Sequence, residues 1–422
     1  LFKRLAAAGV NVLGFLLFPF VVLRLLWRSR KNTAYRYRIK ERLGFSPCLQ
    51  ASVWVHAVSV GEVIAVSPLI EKLLTTLSTP ILVTTMTPTG SAQVKKQFGD
   101  RVAHCYVPYD VPHFVSRFFK RSKPTIALIV ETELWPTLFR CCEEKNIPLM
   151  ILNARLSERA YERYQKIKWL TKKMLARVTN LLAANEKDLE RFFNLGLPKA
   201  RGNVAGNLKY DIVLPELAME QSVALRKQLG LKREVWIGAS THEGEDEMLL
   251  VAHRKIQEHY PKALLIIVPR HPERFDGVAK SIEDSGFTVT RRSAGKQSLE
   301  SSAVYLGDTM GELITLYGAS DVVFVGGSLV HHGGHNLLEP AVLAKPLLSG
   351  PHDFNFTAIN QTLFANQALL KVNSSDEISE HVKRLFGDAN ERHAMGGRAK
   401  KVVAENQGAL KRHLDAIHSF LR

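Results

Sequence analysis

The chain has 422 residues, 46% of them hydrophobic and 23% charged, a globular composition too long for a single core, so two domains are predicted. Its 57 lysines and arginines outnumber 40 acidic residues for a net charge of +17, which excludes an acidic, self-solvating chain and calls for an anionic partner. Four cysteines, Cys48, Cys105, Cys141 and Cys142, form no Cys-x-x-Cys pair and point to buried thiols in a reducing compartment.

Residues 5–23 carry no charge and are long enough to cross a bilayer as a helix. Lys3 and Arg4 precede the run, and Arg24, Arg28, Arg30 and Lys31 follow it, so the positive-inside rule predicts an N-terminal anchor with the bulk of the protein on the cytoplasmic side. No Ala-x-Ala cleavage pattern follows, which argues against a signal peptide. Asn11 and Pro19 leave a helix lying in the interface open as well.

From residue 53 onward, apolar runs of strand length alternate with helix-like segments. In the first half they are 53–58, 81–85, 125–130, 148–152 and 181–184, with 201–208 weaker; in the second they are 235–238, 263–268, 303–306, 322–325, 347–348 and 369–372. That rhythm predicts two βα-repeating, Rossmann-like domains, each a parallel sheet covered by helices. A polar, proline-containing stretch at 211–230 marks the boundary. The predicted organisation is 1–30 for anchor and basic flank, 31–215 for the first domain and 216–422 for the second.

Polar residues cluster immediately after the strand runs, where parallel sheets place ligands. Two such rims facing each other would make a cleft. Ser59-Val-Gly-Glu62 delivers a carboxylate to a strand-to-helix turn, which makes Glu62 a candidate general base; the same residues also spell a capping box, in which Glu62 would only satisfy a backbone N–H. Glu131 ends an apolar run and is either functional or salt-bridged. Lys209 ends a Gly-Asn-Leu-Lys turn, where its charge could neutralise a phosphate, although a solvated lysine is the commoner fate. Asn153-Ala-Arg155 falls at a further strand end.

In the second half, Arg270 follows the most apolar run between Pro269 and Pro272 and suits bidentate phosphate binding. Asp308-Thr-Met-Gly-Glu-Leu313 is expected to open a helix whose N–H groups attract anions, with Thr309 and Glu312 spaced as a capping box. The glycine-rich loop from Gly326 leads into Asn336-Leu-Leu-Glu339, expected to start the next helix, where Glu339 could accept from ribose hydroxyls. His331, His332 and His335 are separated by glycines that break any common helical face, so no metal site is expected. Glu243, Glu245, Asp246 and Glu247 read as first-turn acids complementing a helix dipole. Phe114, Phe118 and Phe119 interleave with Arg117, Lys120, Arg121 and Lys123, while Lys166, Lys168, Lys172, Lys173 and Arg177 fall near Trp169, Leu170 and Leu175. Each stretch is either an ordinary core helix with a solvated basic face, the commoner case, or a membrane-interface surface, a reading that gains ground behind the anchor. No nucleic-acid module is present in the sequence.

Taken together, His56-Ala-Val-Ser-Val-Gly-Glu62, Thr85-Met-Thr-Pro-Thr-Gly90, Glu131-Thr-Glu-Leu-Trp-Pro136, Asn153-Ala-Arg-Leu-Ser157, Gly206-Asn-Leu-Lys209, Ser240-Thr-His-Glu-Gly-Glu245, Val268-Pro-Arg-His-Pro-Glu-Arg-Phe275, Gly307-Asp-Thr-Met-Gly-Glu-Leu313 and Gly333-Gly-His-Asn-Leu-Leu-Glu339 resemble the 3-deoxy-D-manno-oct-2-ulosonic acid (Kdo) transferases of lipopolysaccharide synthesis. The resemblance runs in order from the anchor nearly to the C-terminus and implies the GT-B architecture. It implies transfer of Kdo from CMP-Kdo to the lipid A precursor lipid IVA, with inversion and release of CMP, at the cytoplasmic face of the inner membrane. Glu62 would be the general base, and Glu131 and Lys209 would stabilise the transition state. Pro269 and Arg270, then Met310, Gly311 and Glu312, then Asn336, Leu337, Leu338 and Glu339 would hold CMP. No metal or other cofactor is implied, because the leaving group is already a phosphate monoester and the sequence has no Asp-x-Asp cation site. The alternatives are another GT-B transferase using a UDP-sugar and a lipid-linked acceptor, and a membrane-tethered binding protein without catalysis.

Overall fold

The structure is a computed structural model that describes residues 33–295 and 302–421. The anchor expected at residues 5–23 lies outside them. Among the described residues, no helix is long and apolar enough to cross a membrane.

The described chain forms two units. The first comprises residues 33–211 and 407–421, and the second residues 212–295 and 302–406. The division therefore falls after Asp211 rather than after 215. The last helix, Ala409–Leu421, which the sequence reading gave to the second domain, belongs to the first. Its attachment is tertiary: the buried faces of Ala409 and Ile417 join the core beneath the first sheet.

The first sheet has seven strands: β1 (Ser52–His56), β2 (Ile81–Thr85), β3 (Ala103–Tyr106), β4 (Pro124–Val130), β5 (Leu149–Ala154), β6 (Asn180–Ala183) and β7 (Gly202–Val204). Their order is β3-β2-β1-β4-β5-β6-β7, and every pair is parallel. The central strands β1, β2, β4 and β5 are covered by helices on both faces, which explains their almost uninterrupted apolar sequences. Trp54 on β1 meets Phe118 and Phe119 edge-on at 5.1 and 5.7 Å. For these two phenylalanines the core-helix reading holds rather than the interfacial one, and Leu175 is likewise fully buried. Trp169 does remain exposed, with Lys173 Nζ 5.4 Å from its ring centroid. Cys105, Cys141 and Cys142 are buried, and burial raises their thiol pKa; Cys48 is exposed, against the expectation for it.

The second sheet repeats the plan with β8 (Val235–Thr241), β9 (Leu264–Pro269), β10 (Val289–Arg291), β11 (Val304–Leu306), β12 (Val322–Val325), β13 (Leu347–Ser349) and β14 (Leu369–Lys371). Its order is β10-β11-β9-β8-β12-β13-β14, again parallel. Within this unit the helix Ala389–Asn406 packs closely on the segment after the helix Leu338–Val342 because Gly396 lacks a side chain. A Cβ there would lie 1.9 Å from the Ala344 carbonyl oxygen, a backbone atom that cannot rotate away. Gly396→Ala is accordingly expected to cost about 1–3 kcal/mol or more by overpacking, read as a lower midpoint for the second unit in denaturant titration. An unchanged midpoint would show that the helix can shift at no cost.

Candidate active site

At the carboxyl ends of the strands the backbone departs from regular geometry. Glu131, Asn153 and Ser240 have φ of 59°, 50° and 57°, left-handed values that non-glycine residues adopt only under compensation. The register also shifts between Ile151 and Ala154 and between Ala239 and Thr241, so Asn153 and Ser240 sit in bulges. Bulges of this kind re-aim side chains at the rim of a sheet.

On the first rim, Glu62 lies in the opening turn of the helix Val60–Thr76. Ser59 caps that helix, and Glu62 Oε1 accepts from Ser59 Oγ at 2.8 Å while Oε2 accepts from Val58 N–H at 2.8 Å. The cap expected from the sequence therefore exists, with Ser59 Oγ accepting from Glu62 N–H at 3.4 Å, although the carboxylate reaches back to Val58 N–H rather than to that of Ser59. It does not exhaust the residue, because burial, helped by the charges of Glu131 and Glu133, pushes the Glu62 carboxyl up to about 7. A group that only capped a helix would be better solvated and fully ionised. Here the cap fixes the orientation of a carboxyl that exchanges its proton near neutrality.

Glu131 extends from the end of β4 and faces Arg155 at 3.6 Å. The salt bridge, one of the two readings of Glu131, is therefore present. Lys209 lies in the short 3-10 turn Leu208–Tyr210. Burial first, then the Arg155 charge, lowers its pKa below the ordinary lysine range, against the opposing fields of Glu131 and Glu62. Glu62, Glu131 and Lys209 are thus brought within electrostatic reach of one another from widely separated segments. Residues given no role by the sequence reading join them. Glu133 is raised by burial while accepting from Trp135 Nε1 at 2.8 Å, and Arg155 adds a fixed positive charge. Both stood in rim windows of the sequence, yet only the fold shows which carboxylate each adjusts.

The second rim holds the residues expected to bind a nucleotide. Pro269 ends β9, and Arg270 follows with its side chain exposed and its N–H donated to Thr241 O at 3.0 Å. Met310 is exposed, and Gly311 takes a φ of 89° with open space where a Cβ would be. The capping box expected at Thr309 and Glu312 is not formed: the helix begins after it, at Leu313, and runs only to Ala319. Glu312 still accepts from the Thr309 hydroxyl but also pairs with Arg292 at 2.7 Å, a residue too remote in sequence for local spacing to reveal, and the Arg292 bond, with the Thr309 bond behind it, lowers its pKa. Similarly, the next helix starts at Leu338 rather than at Asn336. Asn336 Oδ1 accepts from Leu338 N–H at 3.1 Å, and its Nδ2 donates to Glu339 at 3.3 Å. Leu337 and Leu338 have fully buried side chains, so a ligand could meet only their backbone. Burial raises the pKa of Glu339.

Glu245, read as a first-turn acid, is an organiser. Fully buried, its Oε1 accepts from the N–H groups of Ser328 and Leu329 at 3.0 Å each, and its Oε2 from His242 at 2.9 Å and Gly327 at 2.7 Å. One carboxylate thereby ties the glycine-rich loop to the turn after β8. Asp246 is also buried and binds Thr241 and Arg274. The glycines do not keep the histidines apart. His332 stacks on His242 at 4.0 Å, and His242 Nε2 meets His335 Nε2 at 2.9 Å. Burial first, then neighbouring positive charge, brings His242 and His335 down to about 4, so both are neutral at pH 7. No group of three or more metal-ligating side chains among the described residues is arranged to hold an ion.

Two parallel-sheet α/β units, each with polar, glycine-containing turns at the carboxyl ends of its strands, make up a GT-B-like fold. Consistent with that fold, the structure resembles a glycosyltransferase from Rickettsia africae ESF-5 with a TM-score of 0.56 at 13% identity, over 88% of this chain and 98% of the other. Residues 37–212 match the family model 3-deoxy-D-manno-octulosonic-acid transferase, and residues 232–402 match glycosyl transferases group 1. The chain is 42% identical over 399 residues to the 3-deoxy-D-manno-octulosonic acid transferase of Haemophilus influenzae, covering 93% of each. It is 35% identical over 382 residues to the enzyme of the same name from Bordetella pertussis, covering 88% of each. The chain belongs to the Kdo transferase family.

Proposed function

We propose that the protein transfers Kdo from CMP-Kdo to lipid IVA, the lipid A precursor, with inversion at the anomeric carbon and release of CMP. Membership of a family of Kdo transferases supports the sugar transferred. The observation that carries the mechanism is the Glu62 carboxyl, oriented by two hydrogen bonds and poised at about 7. A base with that pKa combines a substantial ionised fraction with useful basicity at neutral pH.

In this mechanism Glu62 takes the proton of the acceptor hydroxyl as its oxygen bonds to the anomeric carbon. The bond from that carbon to the phosphate oxygen breaks, and its electron pair leaves on CMP. Lys209, in the field of Glu131 and Glu62, offsets negative charge developing in the transition state. Arg270, the exposed backbone of Met310 and Gly311, and the Asn336–Glu339 turn with Glu312 hold the nucleotide. The reaction needs no metal in this reading, since a phosphate monoester leaves readily once its charge is matched. A phosphorylated, acylated acceptor is an anionic membrane lipid, and this accounts for the net charge of +17 and for the exposed Trp169 with its neighbouring lysines. The protein then acts at the cytoplasmic face of the inner membrane, held by residues 5–23.

The test is incubation of purified protein with CMP-Kdo and tetraacylated lipid A precursor, with and without chelator, followed by mass spectrometry of the lipid. Addition of Kdo mass in chelator is expected. The rate should fall as pH drops below about 7, since Glu62 then gains its proton. Unmodified lipid, under conditions in which a proven Kdo transferase works, would overturn the acceptor assignment, and a rate flat from pH 5 to 8 would remove Glu62 as the base.

A further inference from the structure

Residues 205–211 leave β7, turn through Gly206 at a φ of 86° and deliver Lys209 to the rim. The C-terminal helix Ala409–Leu421 holds this stretch at both ends and near its middle. At the start, Arg412 Nε donates to the Ala205 carbonyl at 2.7 Å. At the end, the Asp211 carboxylate accepts from Gly408 N–H at 2.7 Å and Leu410 N–H at 2.6 Å, which caps the helix N-terminus.

The middle contact passes through Asn153. His413 is fully buried, and its Nδ1 lies 2.7 Å from the Ala409 carbonyl. A carbonyl only accepts, so Nδ1 carries the proton and Nε2 presents a lone pair. That lone pair accepts the Asn153 N–H at 3.0 Å. Asn153 Oδ1 in turn accepts from the N–H of Leu208 at 3.0 Å, the residue next to Lys209. The orientation of the Asn153 amide is fixed by this bond, since a reversed amide would set donor against donor. Its Nδ2 is buried without a partner, so this orientation is held at the cost of an unsatisfied donor.

We propose that the C-terminal helix is part of the catalytic apparatus, with His413 a positioning residue that fixes Lys209 through Asn153 and Leu208. The proposal rests on the role of Lys209 in transfer given above. It extends that role to a helix with no rim motif in its sequence. Loosening the stretch would leave donor recognition, which belongs to the second unit, intact. It would also hydrate Lys209, relieving the burial and the Arg155 repulsion that hold its pKa down, while weakening the fields of Glu131 and Glu62 that oppose them. Burial is the largest of these effects, so the net movement is upward. His413 itself, at about 4, stays neutral throughout the assay range.

The experiment measures kcat, donor KM and the pH profile for His413→Leu, His413→Gln, Arg412→Met and Lys209→Ala, with thermal unfolding as a control for folding. His413→Leu is expected to lower kcat roughly ten- to a hundredfold, as displacements near 1 Å in a transition-state contact do, with donor KM unchanged and the basic limb moved to higher pH. His413→Gln, whose amide oxygen can accept the Asn153 N–H, should recover most of the rate. Arg412 is exposed, so Arg412→Met should fold and show a smaller loss in the same direction. Wild-type kcat and pH profile in folded His413→Leu, with Lys209→Ala inactive, would overturn the positioning role and leave the function standing. If His413→Leu does not fold, wild-type kinetics in Arg412→Met overturn it instead. Full activity in Lys209→Ala would overturn the role of Lys209 itself and the positioning proposal with it.

Discussion

Glu62→Gln is expected to lose transfer by roughly a hundred- to ten-thousandfold, the contribution of a positioned general base, while making the folded protein more stable above neutral pH. The two effects have one cause. Burial raises the folded carboxyl to about 7 from its ordinary 4.5, so between those values the folded state binds a proton that the unfolded state has released. Stability therefore falls as pH rises through that window, and above it the desolvated carboxylate costs about 3 kcal/mol. Glutamine carries no charge and can still accept from Val58 N–H and donate to Ser59, which keeps the cap. The midpoint of thermal unfolding for Glu62→Gln should thus exceed that of wild type at pH 8, and the difference should vanish by pH 4. A variant that is inactive but equally stable at pH 8 would mean that Glu62 is solvated and its pKa ordinary. A fully active variant would mean that it is only a cap.

Glu245→Ala is expected to cost about 3 kcal/mol or more, because it leaves several buried N–H donors unsatisfied at roughly 1–3 kcal/mol each, and to abolish nucleotide binding by the second unit. Four backbone N–H groups converge on this carboxylate, two on each oxygen. Without those oxygens the four donors lose the acceptor that binds them, and the glycine-rich loop would separate from the turn after β8. Glutamine is a revealing comparison. It keeps one acceptor oxygen but points an NH2 at the other pair of N–H groups, so Glu245→Gln should be nearly as destabilised as the alanine variant. Calorimetric titration with CMP, alongside denaturant unfolding, checks both. Wild-type stability in Glu245→Gln would refute the two-oxygen arrangement.

Most of the strands were legible because helices cover both faces of each sheet, and a strand buried on both faces reads as a continuous apolar run. The two that escaped notice, β3 and β10, are sheet edges. Their half-exposed sequences, Ala-His-Cys-Tyr and Val-Thr-Arg, lack such a run because one flank meets solvent. Glycine, proline and polar residues at strand ends located the rims for the same reason: close turns and ligand approach demand particular residue types. Glu62, Glu131, Lys209 and Arg270 stand out on that basis alone.

What the sequence by itself determined, then, is a chain of two parallel-sheet units, their strand ends and the chemical groups placed there, because periodicity and turn chemistry are local properties. Tertiary structure alone decided what those groups became. Whether Glu62 is a cap or a titrating carboxyl depends on burial and on Glu131 and Glu133 arriving from another strand. Arg292 on Glu312, Glu245 beneath the glycine-rich loop, and the return of residues 407–421 to the first unit join segments far apart in the chain. Spacing along the sequence carries no trace of such contacts, since pKa and hydrogen-bond partners depend on distance through space.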